Sequence, residues 1–285
     1  MIKNRLTILI SLCVIVSSLT IGLVTASEIH PSVIISDYSI YPEVLMPRDY
    51  GTLAITITNT AQDTLITKED KDAWIIPTRT IKRAERKSAP INAEIRRIHL
   101  HSNEIEVITG TYRDISDLGP MQSITLPFKI QAPVKTGIYI VEVRIEMDDG
   151  TDIRHPISVV VDDRTVALSA DLPLIAPMKP TAFNIEIGNQ RPNNINGVNI
   201  IAMINKEYLQ IAPKSTFIGT MGAGEIQTIN FELFHHTPCV FFEEIPFKLE
   251  FWNGINRHTE YISFPIEFIE RSSVSLSVGC CQHRI

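Results

Sequence analysis

Residues 118–130 read Leu118-Gly119-Pro120-Met121-Gln122-Ser123-Ile124-Thr125-Leu126-Pro127-Phe128-Lys129-Ile130, a glycine-proline turn followed by apolar–polar alternation. Residues two apart share one face of a pleated strand, so Leu126, Phe128 and Ile130 predict a half-buried β-strand. The same design returns at Met221-Gly222-Ala223-Gly224-Glu225-Ile226-Gln227-Thr228-Ile229-Asn230-Phe231-Glu232-Leu233, with Ile229, Phe231 and Leu233 in the apolar row. Earlier in the chain, Val33–Tyr41 predicts a first strand. Thr52–Asn59 predicts a second, setting Leu53, Ile55 and Ile57 against threonines and ending in an asparagine suited to a turn. Strand-like content resumes over Ile91–Ile108, interrupted at Ser102-Asn103. Gly137–Met147 places Tyr139, Val141, Val143, Ile145 and Met147 on one face; Asp149-Gly150 then turns the chain into a return strand at Ile157–Val161.

The pattern repeats as a whole. Pro177–Asn189 aligns with Pro47–Asn59 at an offset of 130, and Ile218–Leu233 aligns with Ile115–Ile130 at an offset of 103. The hairpin Phe247/Leu249/Phe251 with Asn253-Gly254 matches Val143/Ile145/Met147 with Asp149-Gly150 at an offset of 104. Three landmarks in one order, at a period near the length of a β-sandwich domain, predict tandem copies. The expected fold is therefore all-β: two immunoglobulin-like β-sandwich domains, over residues 30–163 and 164–270, followed by a tail, 271–285. Asn59 to Ile115 spans 56 positions where Asn189 to Ile218 spans 29, so the first copy carries 27 extra residues. That surplus falls in the charged segment 60–90, a long connection that also holds the apolar patch Trp74-Ile75-Ile76-Pro77.

Ahead of the copies, Lys3 and Arg5 precede an apolar run from Leu6 to Val24 that ends at Val24-Thr25-Ala26. Residues 1–26 thus read as a secretory signal cleaved after Ala26, or as a retained membrane anchor through residues 6–24; both place the rest outside the cytoplasmic membrane. With 285 residues there is material for two ordinary cores. A formal net charge of −6 offers no basic field for a phosphate backbone, so nucleic acid is not an expected partner.

Candidate chemistry is sparse. Four cysteines, of which Cys13 lies in the export segment, Cys239 is isolated and Cys280 and Cys281 are adjacent, form no spaced disulfide framework. His99 and His101 lie two apart on a strand but lack a third ligand at an informative spacing. His235, His236 and Cys239 suit zinc by residue type, yet Pro238 and Phe241-Phe242 point to a sandwich-end loop entering a buried strand. Asp148-Asp149 and Asp162-Asp163 offer oxygens for calcium, but they fall at turns and junctions, where aspartate serves the backbone. No metal, cofactor or catalytic residue is assigned, since nucleophile elbows, phosphate-binding glycine loops and zinc-protease helices are missing from the sequence. Asn-x-Ser/Thr is missing as well.

Pro42-Glu43-Val44-Leu45-Met46-Pro47-Arg48-Asp49-Tyr50-Gly51-Thr52, the strand ending at Asn59, Leu118–Ser123 and Gly137-Ile138-Tyr139 together resemble the archaeal S-layer-like secreted proteins built from tandem CARDB-type immunoglobulin-like domains. Arg48 and Met121 stand where that family commonly has glycine, which predicts altered turns. The resemblance specifies fold more than activity; repetition without visible catalytic chemistry adds the expectation of a non-enzymatic cell-envelope protein, a structural or adhesion module binding cell-envelope proteins or surface polymers through sandwich loops and edges. The alternative it leaves is an extracellular accessory or ligand-binding subunit of a membrane transporter. The family often ends in a membrane helix, which Gly279–Ile285 does not supply, so attachment would rest on residues 6–24.

Overall fold

A computed structural model describes residues 32–62, 65–67, 86–88, 91–148, 150–171, 174–176, 178–236 and 242–268. Residues 1–31, and with them the expected signal or anchor, as well as Trp74–Pro77, Asp149, Pro177, Cys239, Cys280 and Cys281, lie outside the described residues.

The protein is all-β, of the β-sandwich class. In the first half, β1 (Val33–Tyr41), β2 (Tyr50–Asn59), β8 (Ser123–Gln131) and β6 (Glu106–Val107) form one sheet in the order β1-β2-β8-β6. The facing sheet runs β10-β9-β5-β7, from β5 (Ala93–His101), β7 (Tyr112–Leu118), β9 (Gly137–Met147) and β10 (Asp152–Val161). Within the charged segment, β3 (Leu65–Thr67) pairs with β4 (Arg86–Ser88) as a separate short ladder. The second half repeats the first sheet as β11-β13-β17-β15, from β11 (Val166–Ala170), β13 (Pro180–Asn189), β15 (Leu209–Ala212) and β17 (Ile226–His235). It repeats the second as β19-β18-β14-β16, from β14 (Ile195–Ala202), β16 (Ser215–Met221), β18 (Phe242–Asn253) and β19 (Asn256–Phe268), with β12 (Leu174–Ile175) added parallel to β19.

Each sandwich is closed by the alternation read from the sequence. Leu53, Ile55 and Ile57 pair in register with Phe128, Leu126 and Ile124, and the first five of these are buried. Phe183 and Ile185 meet Phe231 and Ile229 in the same way. The apolar rows build two hydrophobic clusters, one over Val33–Val161 and one over Val166–Ile266, the second also taking in Met46. On the opposite face of β1-β2-β8 the polar row is stitched by hydroxyls: Ser36 Oγ to Thr58 Oγ1 at 2.7 Å, Thr58 Oγ1 to Ser123 Oγ at 2.8 Å and Thr56 Oγ1 to Thr125 Oγ1 at 2.9 Å.

Asn59 and Asn189 do more than end a strand. Both are fully buried where β2 and β13 leave one sheet, and both reach across to the other. Asn59 Nδ2 donates to the carbonyls of Ile91 and Leu118 at 2.9 and 2.8 Å, while its Oδ1 accepts from Ala61 N at 3.0 Å. Asn189 Nδ2 donates to Asn193 O, Met221 O and Gly222 O at 3.1, 3.3 and 2.9 Å, and Oδ1 accepts from Arg191 N at 3.0 Å. The turns they meet are also copies. Met121 N and Gly224 N donate to the two asparagine carbonyls at 2.8 and 2.9 Å, and the side chains of Gln122 and Glu225 accept from Gly119 N and Gly222 N. A carboxamide can satisfy a donor and two acceptors at once, which fixes sheet-to-sheet spacing without leaving backbone groups unpaired.

The two positions lacking the resembled family's glycine keep the backbone that glycine would have. Arg48 has φ 68° and Met121 φ 58°; their repeat equivalents are Met178 at φ 60° and Gly224 at φ 71°. Left-handed backbone costs an L-residue roughly 1–2 kcal/mol. Met121 is two-thirds exposed, so its side chain contributes little packing in return. Met121→Gly is expected to raise stability by about 1 kcal/mol and Gly224→Met to lower it by a similar amount, read as shifts in urea midpoint at constant slope.

Candidate functional site

The densest polar cluster lies where the two halves meet, and it is built from the residues at which the copies differ. Arg191 follows the Asn189 latch by two residues, at the position of Ala61 in the first copy, and it is 1% exposed. Its Nη1 donates to Asp162 O at 3.1 Å and to Arg164 O at 2.7 Å; its Nη2 donates to Val44 O at 2.9 Å and Asn193 Oδ1 at 3.2 Å. One side chain thus ties the segment before β2, the connection between halves and the second sandwich. Burial lowers the pKa of the guanidinium from its usual range, with the charges of Asp49 and Asp162 acting in the opposite direction.

Asn253, at the β18–β19 turn, completes the junction. Its Nδ2 donates to Val44 O at 3.0 Å and to Asp49 Oδ2 at 2.7 Å, and its Oδ1 accepts from Asn193 Nδ2 at 2.8 Å. Asp49 also accepts from Met46 N at 2.9 Å, and His258 Nε2 lies 2.9 Å from Asp49 Oδ1, an ion pair when the imidazole is protonated. Asn256 closes the rim, exchanging hydrogen bonds with Tyr50 N and Tyr50 O at 2.9 and 2.8 Å. Gly254, at φ +61°, packs against Pro42 so closely that a Cβ would stand 2.8 Å from the proline Cδ. Asp162 and Arg164 in the connection form an exposed ion pair at 2.6 Å, and the hydrogen bonds from Arg164 hold the Asp162 carboxyl below its usual pKa.

The metal candidates separate. His235 is buried beside Tyr208, whereas His236, the next residue, is exposed; successive residues at the end of a strand face opposite ways, so this pair does not converge on one ion. His99 and His101 do share the outward face of β5, but they stand among Arg97 and Arg144, a field that opposes a cation. Desolvation, then the charge of Arg97, lowers the His99 pKa. Asp148 is engaged by Arg96 at 2.8 Å, as Asp162 is by Arg164. Among the described residues no group of three or more His, Cys, Asp or Glu side chains is placed to hold a metal ion.

Sequence reasoning missed the junction because Arg191 and Asn193 sit in a turn-like stretch with no motif and Asn253 reads as an ordinary hairpin-turn residue. The one available signal was a large cation at the position of a small apolar residue in the other copy.

No family model and no curated protein matches the chain. Among solved structures it is similar to the ASH/PapD-like domain of human CEP192, with a TM-score of 0.27 and 11% identity over 38% of this chain and 88% of that one. It is also similar to red sea bream transglutaminase, with a TM-score of 0.29 and 7% identity over 82% of this chain and 31% of that one. Escherichia coli alpha-2-macroglobulin gives a TM-score of 0.30 and 8% identity over 86% and 22%. The chain spans less than a third of the last two.

Arg191→Met keeps the length of the side chain but strips its donors, leaving the carbonyls of Val44, Asp162 and Arg164 buried or half-buried without that partner. The expected loss is roughly 3 kcal/mol of unfolding free energy, measured by denaturant titration; an effect under about 0.5 kcal/mol would show that water replaces the guanidinium at no cost.

Proposed function

We propose that this protein is an extracellular, non-enzymatic structural or adhesion module of a cell envelope, in the manner of the S-layer-like proteins its sequence resembles. The observation that supports this reading is the use of its most elaborate polar cluster. Arg191, Asn193, Asn253 and Asp49 direct their polar atoms to one another and to backbone carbonyls across the junction, and so serve to fix one sandwich against the other. A fixed pair of sandwiches suits a spacer that must transmit position between contacts at its surfaces and edges. The apolar segment after Lys3 and Arg5 supports export, and the partners proposed are envelope proteins and surface polymers.

Protease treatment of intact cells tests the placement. The protein is expected to be digested from outside while a cytoplasmic marker survives, and cross-linking on the same cells is expected to join it to envelope proteins. Protection equal to that of the marker would overturn the reading, and cross-links confined to a permease would favour a transporter accessory.

A further inference from the structure

The outward face of the β10-β9-β5-β7 sheet carries a charge arrangement that the fold does not require. Strand register sets Arg113 opposite Arg97, Arg97 opposite Glu146, and Glu146 opposite Asp152, making one row across four strands. The next row sets His99 opposite Arg144 and Arg144 opposite Arg154. Like charges directly opposite on neighbouring strands destabilise a sheet, and here they occur in two adjacent rows. Arg96 is paired with Asp148, Arg97 with Glu146 and Arg144 with Glu142, which leaves Arg113 as the unpaired arginine of the three that line the adjoining cleft. Among the described residues, no carboxylate lies within ion-pair distance of Arg113 or Arg154.

The second copy supplies the control. At the corresponding register, Asn199 stands opposite Phe217 and Glu250, and Ile201 opposite Lys248. The architecture is therefore built equally well without the arginines. Their presence on one copy of a chain with net charge −6 asks for a partner.

Two further features converge at one end of this face. Arg96, Arg97, Arg113, Asp114 and Glu146 line a cleft of about 320 Å³. The Nε of Arg97 is buried there without a hydrogen-bond partner, and Asp114 at the cleft holds a left-handed backbone at φ 49°.

We propose that this face binds an acidic polysaccharide, with a uronic-acid carboxylate entering the cleft between Arg96, Arg97 and Arg113 and the chain continuing towards Arg154. Planar guanidinium groups match a carboxylate in bidentate geometry. The interspersed Glu142, Glu146 and Asp152 repel a dense run of phosphates but leave room for isolated carboxylates separated by sugar rings. The choice of a glycan rests on the extracellular reading above, which makes surface polymers the accessible polyanions.

The test is calorimetric titration of the full chain with an oligogalacturonate, beside neutral dextran and inorganic polyphosphate. Oligogalacturonate is expected to bind and dextran not to bind. Affinity should fall as salt is raised, and Arg113→Gln with Arg154→Gln should weaken it about tenfold, the equivalent of two modest charge pairs. The double variant should keep or raise the thermal midpoint, because like-charge contacts are relieved. No binding, equal affinity in the double variant, or tighter binding of polyphosphate would overturn the proposal. Location on the cell is read separately by protease accessibility, so failure of the glycan site and failure of the envelope reading are distinguishable.

Discussion

A single buried guanidinium organises the way the two copies meet. Arg191 reaches out of the second sandwich to carbonyls at Val44, Asp162 and Arg164, three points that a flexible linker would leave in water. Taking a cation out of water is costly unless its donors are met; three backbone carbonyls and Asn193 Oδ1 accept from the two Nη groups, while Nε is buried without a partner. The arrangement works only if all those points are held at once. The junction is therefore stiff for an electrostatic reason: partial separation leaves a desolvated charge without its acceptors.

The two halves repeat one another in architecture, and the junction falls where they depart from that repeat. Strand order, the asparagine latches and the left-handed turn positions recur from copy to copy. The departures fall where the copies touch. Ala61 corresponds to Arg191, and Asp49, which is buried, corresponds to Lys179, which is exposed. Close packing and buried amides constrain the sandwich interior, whereas the sandwich ends carry the residues that differ. The outward faces differ as well: one half carries Arg97 and Arg113 where the other has Asn199 and Phe217.

Much of the fold is legible in the sequence because alternation carries it. Val33–Tyr41 has the bounds expected, and Leu126, Phe128, Ile130, Ile229, Phe231 and Leu233 are buried as their spacing required. Strands β7, β11, β15 and β16 were not legible. They are edge strands; β7, β11 and β16 lack a clean period of two in burial, and β15, though it alternates, is only four residues long. Asn59 read as a turn residue, since a sequence does not distinguish an asparagine that turns the chain in solvent from one that spans two sheets. The junction was hidden for a related reason: the hydrogen bonds to Val44 and Asp49 join residues 147 to 209 positions apart, and no local pattern reports them.

The claim that the junction couples the two copies is tested most directly by calorimetric unfolding of the wild-type chain. Coupling through a buried, multiply bonded charge predicts one transition whose calorimetric and van't Hoff enthalpies agree. Two separate transitions, each with the enthalpy expected for a domain of half the size, would contradict it.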